Sequence, residues 1–117
     1  MENIYLLKVD VNGKAERIPF DPKNSYEIMS QAVDGYLELA PVELPHGADL
    51  FVNEEGKLIG LPLNKVLTRY YVSRNGWIDE IMGNGIIAKH DENGDSVGLT
   101  ETECDDVEKA LFQQNLV

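Results

Sequence analysis

The sequence predicts an α+β fold: one domain, residues 1–117, with a mainly antiparallel sheet of about five to seven strands and two or three helices packed on it. Three stretches carry that reading. Gly35 to Asn64 reads as consecutive strands broken by turns, and Ile4 to Phe20 reads as a hairpin. A helix with a capping signature runs from Thr100 towards the end of the sequence. Strands and helices are mixed without strict βαβ alternation, which favours an antiparallel sheet.

Asn12-Gly13 is a strong hairpin signal, because both residues tolerate left-handed backbone. A two-residue loop there pairs Val11 with Lys14, Val9 with Glu16, Leu7 with Ile18 and Tyr5 with Phe20. Tyr5, Leu7, Val9, Ile18 and Phe20 then share the core face, and Lys8 opposes Arg17 on a solvated one. Residues 22–34 read as a helix: Asp21 or Asn24 can cap it, Pro22 suits its first turn, and Gly35 stops it. Ile28, Met29, Ala32 and Val33 recur at helical spacing and form its apolar stripe.

Within the central segment, Tyr36 to Leu39 reads as a half-buried strand with Glu38 between two leucines. Pro45-His46-Gly47 is a turn. Leu50-Phe51-Val52 and Leu58-Ile59 are apolar runs around a polar gap containing Gly56, the pattern of a hairpin. Together these predict an antiparallel meander.

Pro62 then opens a helix over Leu63 to Tyr71, with Val66, Leu67, Tyr70 and Tyr71 on one side. Ser73 to Gly76 is a turn. Trp77 to Met82 and Ile86 to Lys89 are strand-like, broken by a bulge or tight turn at Gly83-Asn84-Gly85. A loop at Asp91 to Asp95 leads to Val97-Gly98-Leu99. In the last helix Thr100 and Glu103 have capping-box spacing, and Cys104, Val107 and Leu111 line one face.

With 43% hydrophobic residues the chain has the means for a core, and no apolar run approaches a membrane span. A lone cysteine excludes an internal disulfide, and Met1-Glu2-Asn3-Ile4 lacks the basic region of a signal peptide, so a cytoplasmic location is expected. The net charge of −11 argues against direct binding of nucleic acid or an anionic membrane, since both need lysine and arginine on phosphate.

Catalytic patterns fail one by one. Asp91, Asn93 and Asp95 match the start of a calcium loop, but Ser96 and Thr102 stand where glycine and glutamate are needed. His46, His90 and Cys104 have no zinc spacing. Cys104 lies on the apolar stripe of an acidic helix, where burial and carboxylates disfavour a thiolate. Gly83-Asn84-Gly85 lacks the spacing and lysine of a phosphate loop. No catalytic residue, metal or cofactor is expected, and the protein is not expected to be an enzyme.

Two clusters stand out as binding surfaces. Asn64, Lys65, Arg69, Tyr70 and Arg74 gather donors and aromatic surface that could hold a nucleotide or another anion. The run from Asp91 to Glu108, with Asp91, Glu92, Asp95, Glu101, Asp105, Asp106 and Glu108, contains no lysine or arginine and suits a basic protein partner. A homodimer through a strand edge is a third possibility.

Gly35-Tyr36-Leu37-Glu38, then Val52-Asn53-Glu54-Glu55-Gly56-Lys57-Leu58, then Gly60-Leu61-Pro62-Leu63-Asn64 resemble an uncharacterised domain family common in phage, plasmid and conjugative-element proteins. Ile81-Met82-Gly83 with Ile86-Ile87, and Leu99-Thr100 opening an acidic helix, are similar too. The resemblance covers most of the chain, apart from a longer stretch at Thr68 to Gly76 that reads as an insertion. It implies a small protein of a mobile element and no particular chemistry.

Overall fold

The computed structural model describes residues 3–76 and 79–113. In chain order it holds β1 (Ile4–Val9), β2 (Ala15–Pro19), α1 (Ser25–Val33), β3 (Leu37–Ala40), a 3-10 turn (Pro45–Gly47) and β4 (Asp49–Asn53). There follow α2 (Lys65–Asn75), β5 (Gly85–His90), β6 (Ser96–Val97), β7 (Leu99–Thr100) and α3 (Glu101–Phe112). All strand pairings are antiparallel, in the order β2-β1-β5-β4-β3, with β6 on β5 and β7 on β1. The α+β class read from the sequence is the class observed.

The sheet is covered on both sides. Met29, Ala32 and Val33 of α1 pack on Leu6, Ile86 and Ala88. On the other face Leu67, Tyr70 and Tyr71 of α2, with Cys104, Val107 and Leu111 of α3, meet Leu7, Val9, Leu50 and Ile87. Alternate residues of β1 and β5 therefore enter opposite cores, which is why Leu6-Leu7 and Ile86-Ile87 are adjacent apolar pairs buried on both faces. Leu6, Leu7, Ile86 and Ile87 are fully buried, each contributing about 1.5–3 kcal/mol of hydrophobic stabilisation.

Two buried asparagines tie helices to the sheet. Asn53 Nδ2 donates to the carbonyls of Val33 and Asp34 at the end of α1, at 2.9 and 3.1 Å. Asn64 caps α2 by accepting from Leu67 N–H, and its Nδ2 donates to the carbonyls of Val9 and Gly83. On α3 both hydrogen bonds of the Thr100–Glu103 capping box are formed.

The first hairpin differs from expectation by one residue. Leu6 pairs with Ile18 and Leu7 with Arg17, because the loop holds Val11, Asn12 and Gly13. Asp10 Oδ1 accepts from the N–H groups of Asn12 and Lys14, and Gly13 takes φ +82°. A loop longer by one residue turns every β2 side chain to the other face. Ile18 and Phe20 thus join the α1 core, and Lys8 faces Glu16.

The predicted meander is also corrected. Residues 54–60 form a helical turn, with Glu55 N–H on Asn53 Oδ1 at 2.7 Å, Ile59 N–H on the Glu55 carbonyl and Gly60 at φ +71°. Leu58 and Ile59 stand 81% and 56% exposed. Both edges of β4 are occupied, by β3 and β5, so a strand at 58–59 would have no partner.

Of the predicted strand at 77–82, Trp77 and Ile78 lie outside the described residues; the remainder makes one isolated bridge, Met82 to Leu63. The turn expected at Ser73 to Gly76 belongs to α2 up to Asn75, with Gly76 as its left-handed cap. Helix α1 starts at Ser25, since Asp21 holds Lys23 N–H and Asn24 Nδ2 in a turn, and Asp34 provides its left-handed cap. Asn24 occupies the N-cap position without a side-chain capping bond.

Candidate functional site

The five residues of the predicted anion cluster divide between core and surface. Asn64 is fully buried and its three side-chain hydrogen bonds are all structural. Tyr70 is buried, its hydroxyl donating to the Glu43 carbonyl at 2.6 Å and accepting from Arg74 Nε at 3.2 Å. The Arg74 guanidinium also lies 5.5 Å from the Tyr70 ring centroid. Its pKa is raised, chiefly by that hydrogen bond. Lys65 and Arg69, one helical turn apart, remain exposed on α2 without an ion pair among the described residues.

The acidic run divides too. On α3, Asp105 and Glu108 lie 2.6 and 2.8 Å from Arg17, and Asp106 lies 2.6 Å from His46 Nε2. Glu103 meets Lys89 at 2.7 Å. Burial opposes ionisation of Glu103, but Lys89 and the Thr100 N–H outweigh it, so its pKa is lowered. Much of the helix charge is therefore answered from within the fold.

The turn between β5 and β6 is different. Asp91, Glu92 and Asp95 are exposed, and none has an ion-pair partner among the described residues; Glu101, at the start of α3, shares that condition. The turn repeats the geometry of the first hairpin. Asp91 Oδ1 accepts from Asn93 and Asp95 N–H, and Gly94 takes φ +84°. The Asp-x-Asn-Gly sequence thus builds a tight loop at both places.

Beside this turn opens a groove of about 680 Å³ on the α1 side of the sheet. Phe20, Tyr26, Met29, Leu37 and Phe51 supply apolar lining, and Asp91 and Asp95 stand among its polar residues. The elements explain the placement. Phe51 alternates with buried Leu50 and Val52 in β4 and so faces α1, while Met29 comes from the buried stripe of the helix. Tyr26, three residues before Met29 and seven before Val33, continues that stripe into the first turn of the helix, where it is 62% exposed.

A smaller cleft, about 270 Å³, lies on the other side among Glu38, Val52, Leu58 and Tyr71. The Lys57–Asp79 ion pair belongs to its wall; that bond raises the lysine pKa and lowers the aspartate's. His90 Nδ1 lies 2.7 Å from Asp49 at the ends of β5 and β4. Cys104 is buried, and burial above all pushes its pKa up to about 11 although Arg17 opposes the shift, so the thiol is protonated at neutral pH. No group of His, Cys, Asp and Glu among the described residues has the arrangement of a metal site, and no helix among them is long and apolar enough to cross a membrane.

No curated protein and no solved structure matches the chain. One family model does, described as a domain of unknown function (DUF3846), and it covers residues 3–112. With nearly the whole chain matched, from the first strand to the end of the capped acidic helix, the protein belongs to that family.

Proposed function

We propose that the protein acts without catalysis, as a small acidic module that binds a partner protein through the partner's basic surface. The observation that carries this reading is the division of the acidic run: on α3, Asp105 and Glu108 pair with Arg17, Glu103 with Lys89 and Asp106 contacts His46, whereas Asp91, Glu92 and Asp95 face solvent beside an apolar groove. Negative potential left unanswered at one end of the sheet steers a cationic partner there. Many proteins with such a basic surface bind nucleic acid, so occupation by this module would compete with nucleic acid for that surface. In the mobile-element setting implied by the sequence resemblance, the role is counter-defence against a host protein.

The test is affinity capture from a bacterial lysate with wild-type protein, with an Asp91→Lys/Glu92→Lys/Asp95→Lys variant and with an Asp105→Lys/Asp106→Lys variant. The expected result is a discrete basic protein, released by salt, lost with the turn variant and largely kept with the helix variant. Capture indifferent to the turn charges would sink the proposal.

A second reading, sequestration of a nucleotide or other anion, is supported by Lys65 and Arg69, which stand on α2 without carboxylate partners among the described residues. Arg69→Ala should weaken nucleotide binding measured by calorimetry; equal binding by the variant rules that site out.

A further inference from the structure

We infer that the groove beside α1 takes an extended segment of the partner in which one large apolar side chain is flanked by lysine or arginine. This rests on the reading of the protein as an acidic binding module and names the element that it would bind.

The groove has a floor, walls and a charged rim. Met29 is buried and Phe51 half-buried beneath it, and Phe20, Leu37 and Tyr26 form apolar sides. Leu39 lies opposite Phe51 in register, hence on the same face, and is 55% exposed; it extends the apolar surface to the β3 edge of the sheet. Tyr26 and Leu39 are large side chains left in water where a partner could cover them, the composition of an interface anchor pocket.

Among the described residues no lysine or arginine lines the groove, while Asp91 and Asp95 do, with Glu92 next to them in sequence. The rim thus selects the sign of what flanks the anchor. A second copy of the chain is the poorer occupant: each carries a net charge of −11, and pairing would bring two carboxylate rims together. A segment with lysine or arginine beside its apolar residue meets opposite charge at the rim and apolar surface at the floor.

The experiment is a display selection of random short peptides on the intact protein, followed by affinity measurement of the enriched peptides on Tyr26→Ser, Tyr26→Phe and Leu39→Ser. The enriched peptides should join Phe, Trp, Leu or Met to neighbouring Lys or Arg. They should bind Tyr26→Ser about tenfold more weakly, the scale of one anchor contact, and Tyr26→Phe nearly as well as wild type. Since both side chains are mostly exposed, the serine variants should keep the wild-type unfolding midpoint, which separates lost contact from lost fold. Failure to enrich any peptide above a blank surface, or binding that ignores both serine variants, overturns the inference. Basic peptides without an apolar anchor, lost only on reversing Asp91 and Asp95, would overturn the groove assignment and leave the acidic module standing. Enrichment of acidic peptides would overturn both.

Discussion

Arg17 of β2 stands directly opposite Leu7 of β1, on the face of the sheet that α3 covers. That register carries its guanidinium to Glu108 at 2.8 Å and Asp105 at 2.6 Å, 91 and 88 residues away in sequence. The arginine pKa is raised, chiefly by the Asp105 bond. Arg17→Ala should cost about 1 kcal/mol, since partly exposed pairs are weak, and the loss should shrink in high salt. Denaturant unfolding at low and high salt measures it; a loss insensitive to salt would point to packing of the arginine stem instead.

Asn64 is the polar residue on which the core depends most. Asn64→Ala removes the α2 cap and leaves the Val9 and Gly83 carbonyls and the Leu67 N–H without their partner. The expected cost is about 3 kcal/mol, a cap plus unsatisfied buried groups. Asn64→Asp keeps the accepting oxygen but loses the donor and buries a charge, so it should also destabilise. An aspartate variant as stable as wild type would show that the two carbonyl contacts are dispensable.

The paired Asp-x-Asn-Gly loops should respond alike. Asp10→Ala and Asp91→Ala each delete an oxygen that holds two backbone N–H groups. Each should cost about 1 kcal/mol, at the low end for exposed hydrogen bonds. The folded spectrum should keep the Leu6–Ile18 register, checked by cross-strand nuclear Overhauser contacts.

Cys104 should be nearly inert. With its pKa pushed up to about 11 by burial, the folded thiol is protonated at pH 8, so reaction with a disulfide reagent should await opening of the fold. The folded pKa lies above the unfolded one. The folded state therefore keeps a proton that the unfolded state loses, and stability should decline as pH rises past the ordinary thiol range. Labelling as fast as in denaturant would contradict this placement.

Glu103 acts in the opposite sense. Its folded pKa is lowered, so its contribution to stability is present above the ordinary carboxylate range and is lost as pH falls through the folded value. Glu103→Gln should flatten part of the acid limb of a stability–pH profile and remove the Lys89 ion pair. An unchanged acid limb would mean that other carboxylates set it.

The α+β class, the stripes of α1 and α3, the apolar side of α2 and the capping box were legible because each depends on neighbours a few residues apart. Leu67, Tyr70 and Tyr71 are buried together, as are Cys104, Val107 and Leu111, since helical period alone aligns them. Position along the chain was enough there.

What only the tertiary structure decided is which groups meet. One extra loop residue at Asp10 to Lys14 moved Arg17 from solvent to α3, and a sequence pattern with period two reads the same on either face until the register is set. The β4 edge expected for Leu58 and Ile59 went to β5, a strand more than thirty residues further on in the chain. The predicted anion cluster separated into buried Asn64 and Tyr70 and exposed Lys65 and Arg69, because residues adjacent in a helix point in different directions. The groove was hardest to see. Its lining comes from the β2–α1 connection, α1, β3, β4, the β5–β6 turn and β6, elements brought together by a sheet whose strand order departs from chain order.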